Sequence, residues 1–401
     1  MGGGWWVYIA MPLFMAVIGY VTKLLAIRMM FQPLDRRGWG PFSWQGVVPR
    51  HAARMAAIST ELLTARLITP AEVVSRLDPE AMAEQLREPL ASVVEQITRE
   101  VMEEYSPGVW ATLPEGARNR VVRRVQAEAP EIVAAVLRDV RDGVDRVLDL
   151  KTMVTATLVK DRALLNRIFL EAGAHEFRFI VRSGIFFGFL IGCIQASVWY
   201  LTHNPWILPV FGGINGWFTD WLALKMIFHP KHPVGWGPLR WQGLFLARRR
   251  QVTLDYASVV AHEVITPRNI FEALLHGPLS DRVFAMTQRH VQRAVDAQTG
   301  AARPLVVMAV GSTRYQALKR DVTDKVMTLV PDTLALVEDY TEHALDIKST
   351  LVDKMSGLSD EEFEQLIRPA FQADEWILIT VGAVLGFGLG ELQVLALEHL
   401  A

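Results

Sequence analysis

The sequence predicts an all-α integral membrane protein with four transmembrane helices, two long helical cytoplasmic regions and parallel internal repeats. Four apolar segments stand out in a chain of 401 residues, of which 51% are hydrophobic. The polar stretches between them carry apolar residues three and four positions apart, as amphipathic helices do. The loop GWGPFSWQG at Gly38 also recurs as GWGPLRWQG at Gly235.

The four apolar segments define the expected membrane helices. A spanning helix needs roughly 20 mostly apolar residues. We therefore place transmembrane helices at 5–27, 183–201, 206–227 and 376–397. The segment beginning at residue 206 is short before Asp220 and reaches this length only by including the residues after it.

The two loops belong to a longer internal repeat. When residue n is aligned with residue n+197, Pro12 matches Pro209 and Gly19 matches Gly216, and a one-residue slip aligns the end of each half. We expect repeat 1 at 1–201 and repeat 2 at 206–401, with helical cytoplasmic regions at 28–182 and 228–374. Two spans per repeat make the repeats parallel.

Basic residues set the expected orientation. Lysine and arginine flank the long polar regions, for example at Arg36, Arg37, Arg178 and Arg182, and they are absent from residues 1–4 and from the link at 202–205. By the positive-inside rule, both termini lie outside and both long regions face the cytoplasm.

Composition argues against several functions. A net charge of −2 provides no basic surface for nucleic acid. Cys193 is the single cysteine, so neither an intrachain disulfide nor a cysteine-based zinc site can form. No catalytic or metal-ligand motif is recognisable. We expect no enzyme, no metal and no cofactor.

The ends of the first membrane helices in the two repeats correspond closely. Thr22, Leu25, Ala26 and Met29 recur 197 residues later and share one helical face, which favours a packing face over a ligand surface. Beside this face, Lys23 corresponds to Asp220. We predict that they form an intramembrane ion pair between the two repeats; an ion or proton pathway is the alternative. Two further charges are expected to reach the membrane interface: Arg28 and Lys225.

Glycines spaced four residues apart mark the second membrane helix of each repeat. Such a stripe allows two helix backbones to approach closely, so helix packing is the favoured interpretation. The glycines are Gly184, Gly188 and Gly192 in repeat 1 and Gly382, Gly386 and Gly390 in repeat 2.

The repeated loops are candidate membrane-interface elements. Tryptophan side chains suit the headgroup zone, the glutamine can bond the backbone of the turn, and the last glycine permits a left-handed or crowded conformation. Burial of the tryptophans in a turn is equally compatible, and lipid-headgroup recognition is a third interpretation. The residues are Trp39, Trp44, Gln45 and Gly46, and Trp236, Trp241, Gln242 and Gly243.

Three stretches together resemble a bacterial membrane-protein family known as domain of unknown function 445, here as a tandem duplication. They are GYVTKLLAIRMMFQP at Gly19, WGPFSWQGVVP at Trp39 and HEFRFIVRSGIFFGFLIGCIQ at His175. The resemblance covers nearly the whole chain and implies an integral protein of the bacterial inner membrane, with no activity to carry over. In that family the position of Lys23 and Asp220 is commonly asparagine.

These features favour a membrane-anchored scaffold or a lipid-binding protein that uses its amphipathic helices. An oligomeric transporter or channel, built on the repeat interface and the intramembrane charges, is the alternative. We expect membrane lipids as partners, and either a second copy of the chain or another protein is compatible with the sequence.

Overall fold

The computed structural model describes residues 6–39, 43–235, 241–299, 312–368 and 375–400, and these residues are overwhelmingly helical. Among them no strand forms, and two isolated β-bridges occur in the tryptophan loops. The all-α prediction is confirmed. The described helices are α1 Trp6–Phe31, α2 Val47–Arg50, α3 Ala52–Leu62, α4 Pro70–Ser75, α5 Pro79–Gln85, α6 Arg87–Tyr105, α7 Pro107–Thr112, α8 Glu115–Asp142, α9 Leu150–Lys160, α10 Arg162–Ala172, α11 Ala174–Thr202, α12 Ile207–Phe228, α13 Leu244–Ala247, α14 Arg249–Val259, α15 Pro267–His276, α16 Ser280–Thr299, α17 Ser312–Ala335, α18 Glu338–Leu345, α19 Ile347–Ser356, α20 Asp360–Ile367 and α21 Glu375–Leu400.

The chain divides into two compact units, and each draws on both halves of the sequence. Unit 1 comprises Met1–Leu63, Leu158–Val260 and Leu351–Ala401, whereas unit 2 comprises Thr64–Thr157 and Ala261–Thr350. The two units are defined by which residues pack together. The repeat boundaries expected from the sequence are defined by matching residues, so they stay a prediction.

Three helices of unit 1 are long and apolar enough to cross a membrane among the described residues: Tyr8–Phe31, Ala174–Thr202 and Glu375–Leu395. The expected count was four. Helix α12 is long enough but not apolar enough to be counted, because Asn215, Asp220 and several glycines lower its mean hydropathy. Helix α11 also begins nine residues before the expected span at 183, since a helix continues into polar sequence beyond its apolar part.

Unit 1 is built on two antiparallel helix pairs, α1 with α11 and α12 with α21. In the first pair, Gly184 lies against Gly19, and Gly192 lies against Pro12. In the second pair, Gly386 lies against Gly212, and Gly390 against Pro209. A Cβ atom at these glycines would meet the backbone of the neighbouring helix, so the absence of a side chain sets the distance between the helices.

Local geometry recurs 197 residues apart. Both tryptophan loops begin with a cis proline, at Pro33 and Pro230. π-helical turns occur at Leu63–Leu67 and Val260–Val264. The threonines that follow, Thr69 and Thr266, accept hydrogen bonds at the N-termini of α4 and α15. In the sequence, TPAEVV at Thr69 predicts an N-cap followed by a proline at the first helical position, and the structure confirms this role.

Unit 2 has an apolar core formed by short and long helices. Met82, Leu86, Phe271 and Val337 form one buried cluster. An apolar pocket in the same unit is lined by corresponding residues of the two halves, including the pairs Val73 with Ile270, Val74 with Phe271 and Leu77 with Leu274. Segments related by the 197-residue offset therefore face a common pocket within this unit.

The glycine contacts predict a position-specific effect within one helix. We expect Gly386→Ala to destabilise the protein by about 1–3 kcal/mol, because the new methyl group overlaps the carbonyl oxygen of Gly212. Gly388→Ala, two residues away on α21, is the matched control, since nothing lies within 4 Å of its added Cβ. Thermal unfolding of the detergent-purified variants measures the difference, and equal melting temperatures would contradict close packing at Gly386.

Candidate functional site

A buried ion pair lies at the centre of unit 1, between α1 and α12. The Nζ atom of Lys23 lies 3.4 Å from Oδ1 of Asp220 and donates a 2.8 Å hydrogen bond to the backbone carbonyl of Thr219. The Lys23 side chain is fully buried and that of Asp220 is 7% exposed. Such a pair costs desolvation energy that a single contact does not recover, so additional hydrogen bonds matter.

The glycine stripes provide the space for both charged side chains. A Cβ atom on Gly184 would lie 2.8 Å from Cδ of Lys23. A Cβ on Gly382, the corresponding glycine of α21, would overlap Oδ2 of Asp220. The first glycine of each stripe therefore lies against the charged residue of its own half.

The packing face predicted from sequence is shifted by one residue. Thr22 and Ala26 are buried as expected, but Leu25 is 37% exposed. The buried side of α1 instead includes Lys23 and Met30. The prediction placed the face by the helical spacing of the residues identical in the two halves, whereas in the structure Lys23 is buried on this side with its carboxylate partner.

Arg28 and Lys225 do not join the buried pair. Both are exposed, and Nζ of Lys225 lies 4.9 Å from the ring centroid of Trp221. These residues lie at the C-terminal ends of α1 and α12, on the outer surface of the helices.

A pocket opens beside the ion pair, between the C-terminal halves of α1 and α12. Phe177 and five corresponding pairs from the two halves form its lining, which is apolar apart from the two charges. Four pairs are 197 residues apart and the last is 198 apart: Lys23 with Asp220, Ala26 with Ala223, Ile27 with Leu224, Met30 with Ile227, and Ile180 with Leu378. The pocket therefore lies between segments related by the 197- and 198-residue offsets.

The helices of unit 1 also bury amide side chains, of which sequence reasoning missed Gln195 and Gln393. Gln195 and Asn215 are fully buried and Gln393 is 2% exposed. Neither amide atom of Gln195 or Asn215 has a hydrogen-bond partner among the described residues, and the same holds for Oε1 of Gln393 and Oδ2 of Asp220. Gln195 and Gln393 correspond at the 198-residue offset, a signal that was available in the sequence.

The tryptophan loops share their backbone bonding. In the first loop, Gln45 donates to the carbonyl of Leu34 at 2.8 Å; in the second, Gln242 donates to that of Lys231 at 2.9 Å. Gly46 and Gly243 are crowded rather than left-handed: added Cβ atoms would lie 2.8 and 2.7 Å from the backbone at Phe31 and Phe228. Gly38 and Gly235 have the positive φ angles, 115° and 124°.

The tryptophans of these loops differ in exposure. Trp39 is 94% exposed and Trp241 is 37% exposed, whereas Trp44 is half-buried. Trp236 lies outside the described residues. Among the described residues, the ring of Trp39 therefore does not pack into the turn, whereas that of Trp44 partly does.

A salt-bridge cluster holds the second loop against α20. Glu364 lies 2.8 Å from Nζ of Lys231 and 2.6 Å from the guanidinium of Arg368. Burial alone would raise the pKa of Glu364, but the hydrogen bond and charge of Lys231, together with Arg368, outweigh it and lower the pKa. The hydrogen bond to Glu364 raises the pKa of Lys231.

The ion pair predicts non-additive mutant effects. We expect Lys23→Met and Asp220→Ala each to cost about 3–5 kcal/mol, because each leaves a buried charge unpaired. The double variant should lose less than the sum of the two single losses. A double-mutant cycle from melting temperatures measures this coupling, and additive losses would show that the two side chains act independently.

The cluster at Glu364 predicts a pH-dependent contribution to stability. At pH 7 we expect Glu364→Gln to destabilise the protein by about 1–3 kcal/mol, because charge-assisted hydrogen bonds are lost. A carboxyl group with a lowered pKa contributes stability above its unfolded-state pKa and loses it as the pH falls through its folded-state pKa. The gap to the wild type should therefore close below about pH 4.

A matched control for this variant is Asp353→Asn, an exposed carboxylate on α19. Melting temperatures measured from pH 7 to pH 3 separate the two substitutions. A gap for Glu364→Gln that persists at pH 3 would contradict an ionic contribution.

Comparison with known proteins gives homologues throughout the length of the chain. No family model and no solved structure matches it. The chain is 22% identical to a UPF0754 membrane protein of Synechococcus sp. (strain JA-3-3Ab), over 98% of this chain and 99% of that protein. It is 37% identical to one of Synechococcus elongatus over 16% of this chain and 17% of that protein. It is 28% identical to one of Exiguobacterium sibiricum over 31% and 35%.

The shared name denotes an uncharacterised bacterial family. It does not include the label domain of unknown function 445, so that resemblance stays a prediction. The homologues and the three long apolar helices of unit 1 together make this a membrane protein similar to bacterial proteins of unknown function.

Proposed function

We propose that the chain is a tandem duplication whose halves jointly build one four-helix membrane domain in unit 1. The recurrence of loop geometry at a constant offset supports this. So does the matching of glycine contacts: Gly192 meets Pro12 in one pair, and Gly390 meets Pro209 in the other. In each half, the last glycine of the stripe therefore contacts the proline at the matching position of the first helix.

We propose α12 as the fourth span, despite its lower hydropathy. It lies antiparallel to α21, which is a candidate span, through contacts that extend from Gly390 to Gly382. One side of α12 exposes large apolar side chains at Val210, Ile214 and Trp217. Its polar residues Asn215 and Asp220 are buried instead, as expected where polar groups avoid lipid.

We propose that both termini face the outside of the inner membrane and that unit 2 is cytoplasmic. Arginines and lysines beyond the C-terminal ends of α1 and α12, including Arg36, Arg37, Lys231 and Arg248, favour that side for the following segments. The exposed Trp39 then lies near the cytoplasmic headgroups.

We propose that the protein binds a membrane amphiphile and acts as a lipid-handling anchor rather than as an enzyme. The observation that supports this most directly is the pocket where the two halves meet. Its walls are apolar, from Ala26 and Ala223 to Met30 and Ile227, and a buried ion pair lies at one side. Apolar walls with few polar groups suit a hydrocarbon chain, and the cavity volume of about 40 Å³ admits part of such a chain. A scaffolding role for unit 2 is compatible with this function.

The buried amides favour a second candidate, transport of a small polar solute. Gln195, Asn215 and Gln393 are buried polar groups in helices that face the bundle interior, where such residues mark transport pathways. However, an apolar cluster of Met15, Ile18 and Ile191 with Phe211 and Phe218 belongs to the same helices. This cluster argues against an open path, and we therefore place lipid binding first.

Retention of lipid by the purified protein tests the proposal. Native mass spectrometry of gently purified full-length protein, with lipid extraction from the same sample, should show about one amphiphile per chain. Ala223→Phe should abolish its retention, because the ring occupies the pocket. Ile214→Phe, on the exposed face of the same helix, should leave it unchanged.

Two outcomes would contradict lipid binding. A wild-type protein that is lipid-free after gentle purification would do so, as would equal lipid retention by Ala223→Phe. Solute flux into liposomes containing the wild-type protein would support transport instead.

A further inference from the structure

One side of α11 combines exposed arginines with exposed aromatic side chains. Arg178, Arg182, Phe186 and Phe189 follow one another at helical spacing, four, four and three residues apart, so they share one face of the helix. All four are exposed, Phe186 to 67% and Phe189 to 45%. We call these four residues the outer face of α11. This face changes from basic to apolar within one turn.

The two arginines have no counter-ion within the described part of the chain. Nε of Arg178 donates to the carbonyl of Ala174 at 3.2 Å, and no described acidic residue pairs with either guanidinium. The acidic residue on the first turn of the helix, Glu176, is buried and binds Arg248 instead. A guanidinium group presents a rigid set of N–H donors that matches the oxygens of a phosphate. The basic end of the face therefore suits a phosphate group.

The length of α11 places the arginines at the edge of the membrane. Twenty residues follow Arg182 before the helix ends at Thr202. At a rise of 1.5 Å per residue they span about 30 Å, the thickness of the hydrocarbon core. Arg182 then lies at one boundary of this core and Arg178 lies one turn further out, at the depth of the lipid head groups.

The corresponding face of α21 is as apolar but carries no charge. Val384 is 66% exposed and Phe387 is 40% exposed, like their counterparts on α11. The correspondences at the 198-residue offset are Arg178 with Trp376, Arg182 with Thr380, Phe186 with Val384, and Phe189 with Phe387. Both faces can therefore contact acyl chains, but only that of α11 adds two cations for a head group.

We propose that the outer face of α11 binds one anionic phospholipid. The phosphate group accepts hydrogen bonds from Arg178 and Arg182, and an acyl chain lies along Phe186 and Phe189. A lipid with a net negative charge is preferred over a zwitterionic one, because the ammonium group of the latter opposes the arginines. This site requires that α11 spans the membrane, and it is separate from the pocket beside Lys23.

Native mass spectrometry of the full-length protein in neutral detergent tests the proposal. The protein is titrated with an equimolar mixture of phosphatidylglycerol and phosphatidylcholine that carry identical acyl chains. Phosphatidylglycerol should bind about tenfold more tightly, the effect expected of basic side chains close to an anionic head group. Glycerophosphoglycerol, which is the same head group without acyl chains, should not bind at these concentrations, because it cannot contact the apolar end of the face.

A matched pair of variants assigns the preference to the two arginines. Arg178→Gln combined with Arg182→Gln should abolish it, because both donors of charge-assisted hydrogen bonds are lost. Arg120→Gln combined with Arg124→Gln is the control: it removes the same charge at the same spacing from exposed arginines of α8. This control should keep the tenfold preference of the wild type.

A second variant moves the basic end of the face to α21. Trp376→Arg combined with Thr380→Arg provides that helix with the two arginines of α11 at the corresponding positions. The number of tightly bound phosphatidylglycerol molecules should rise from one to two per chain. This gain keeps the proposal testable even if the loss of Arg178 and Arg182 prevents folding.

Three results would overturn the proposal. They are equal affinity of the wild type for the two phospholipids, an equal loss of preference in the α8 control, and binding of glycerophosphoglycerol as tight as that of the lipid. The last result would identify a site for free phosphate esters. The pocket is tested separately by Ala223→Phe, which leaves both arginines in place, so failure of the proposed function and failure of this site are distinguishable.

Discussion

The close approach of helix backbones at the glycine stripes is the constraint on which unit 1 depends. Membrane helices have little hydrophobic driving force for association, because lipid is as apolar as their side chains. Packing of small residues supplies contact instead. At Gly184 and Gly382 the same absence of a side chain accommodates Lys23 and Asp220. The missing side chains of these glycines therefore set the spacing of the helices and also leave room for the two charged side chains to be buried.

The pocket follows from this arrangement. The ion pair joins α1 to α12 at one level of the bundle, and the residues one turn further on are Ala26 and Ala223, which are too small to fill the space between the helices. Because both helices contribute equivalent positions, the walls of the pocket match on its two sides. The opposite charges depart most from that match and give the site its polar side, and Phe177 lines the pocket without a counterpart.

The sequence allowed prediction of the helical class and of the capping at Thr69, because each depends on local chemistry or on a repeated pattern. It did not allow prediction of the burial of Gln195 and Asn215, since burial depends on neighbours that are distant in the chain. Mean hydropathy likewise does not register that Asn215 and Asp220 of α12 face inward. Gly38 rather than Gly46 adopts positive φ, a choice set by the fold of the loop.

The difference between the two halves at Lys23 and Asp220 has a structural logic. In a symmetric dimer of single-copy chains, each residue near the two-fold axis faces an identical residue, so opposite charges cannot meet at equivalent positions. Asparagine, which the family resemblance implies at this position, can pair with itself because it both donates and accepts. Once both copies belong to one chain, each can change separately.

A second pair of residues differs in the same way. Asn166 donates to the carbonyl of Phe31, whereas Glu364, 198 residues later, binds Lys231. If the chain is the tandem duplication proposed above, the Lys23–Asp220 pair is an interaction that becomes available only after duplication, and it favours association of the two halves of one chain over association of equivalent halves from separate chains.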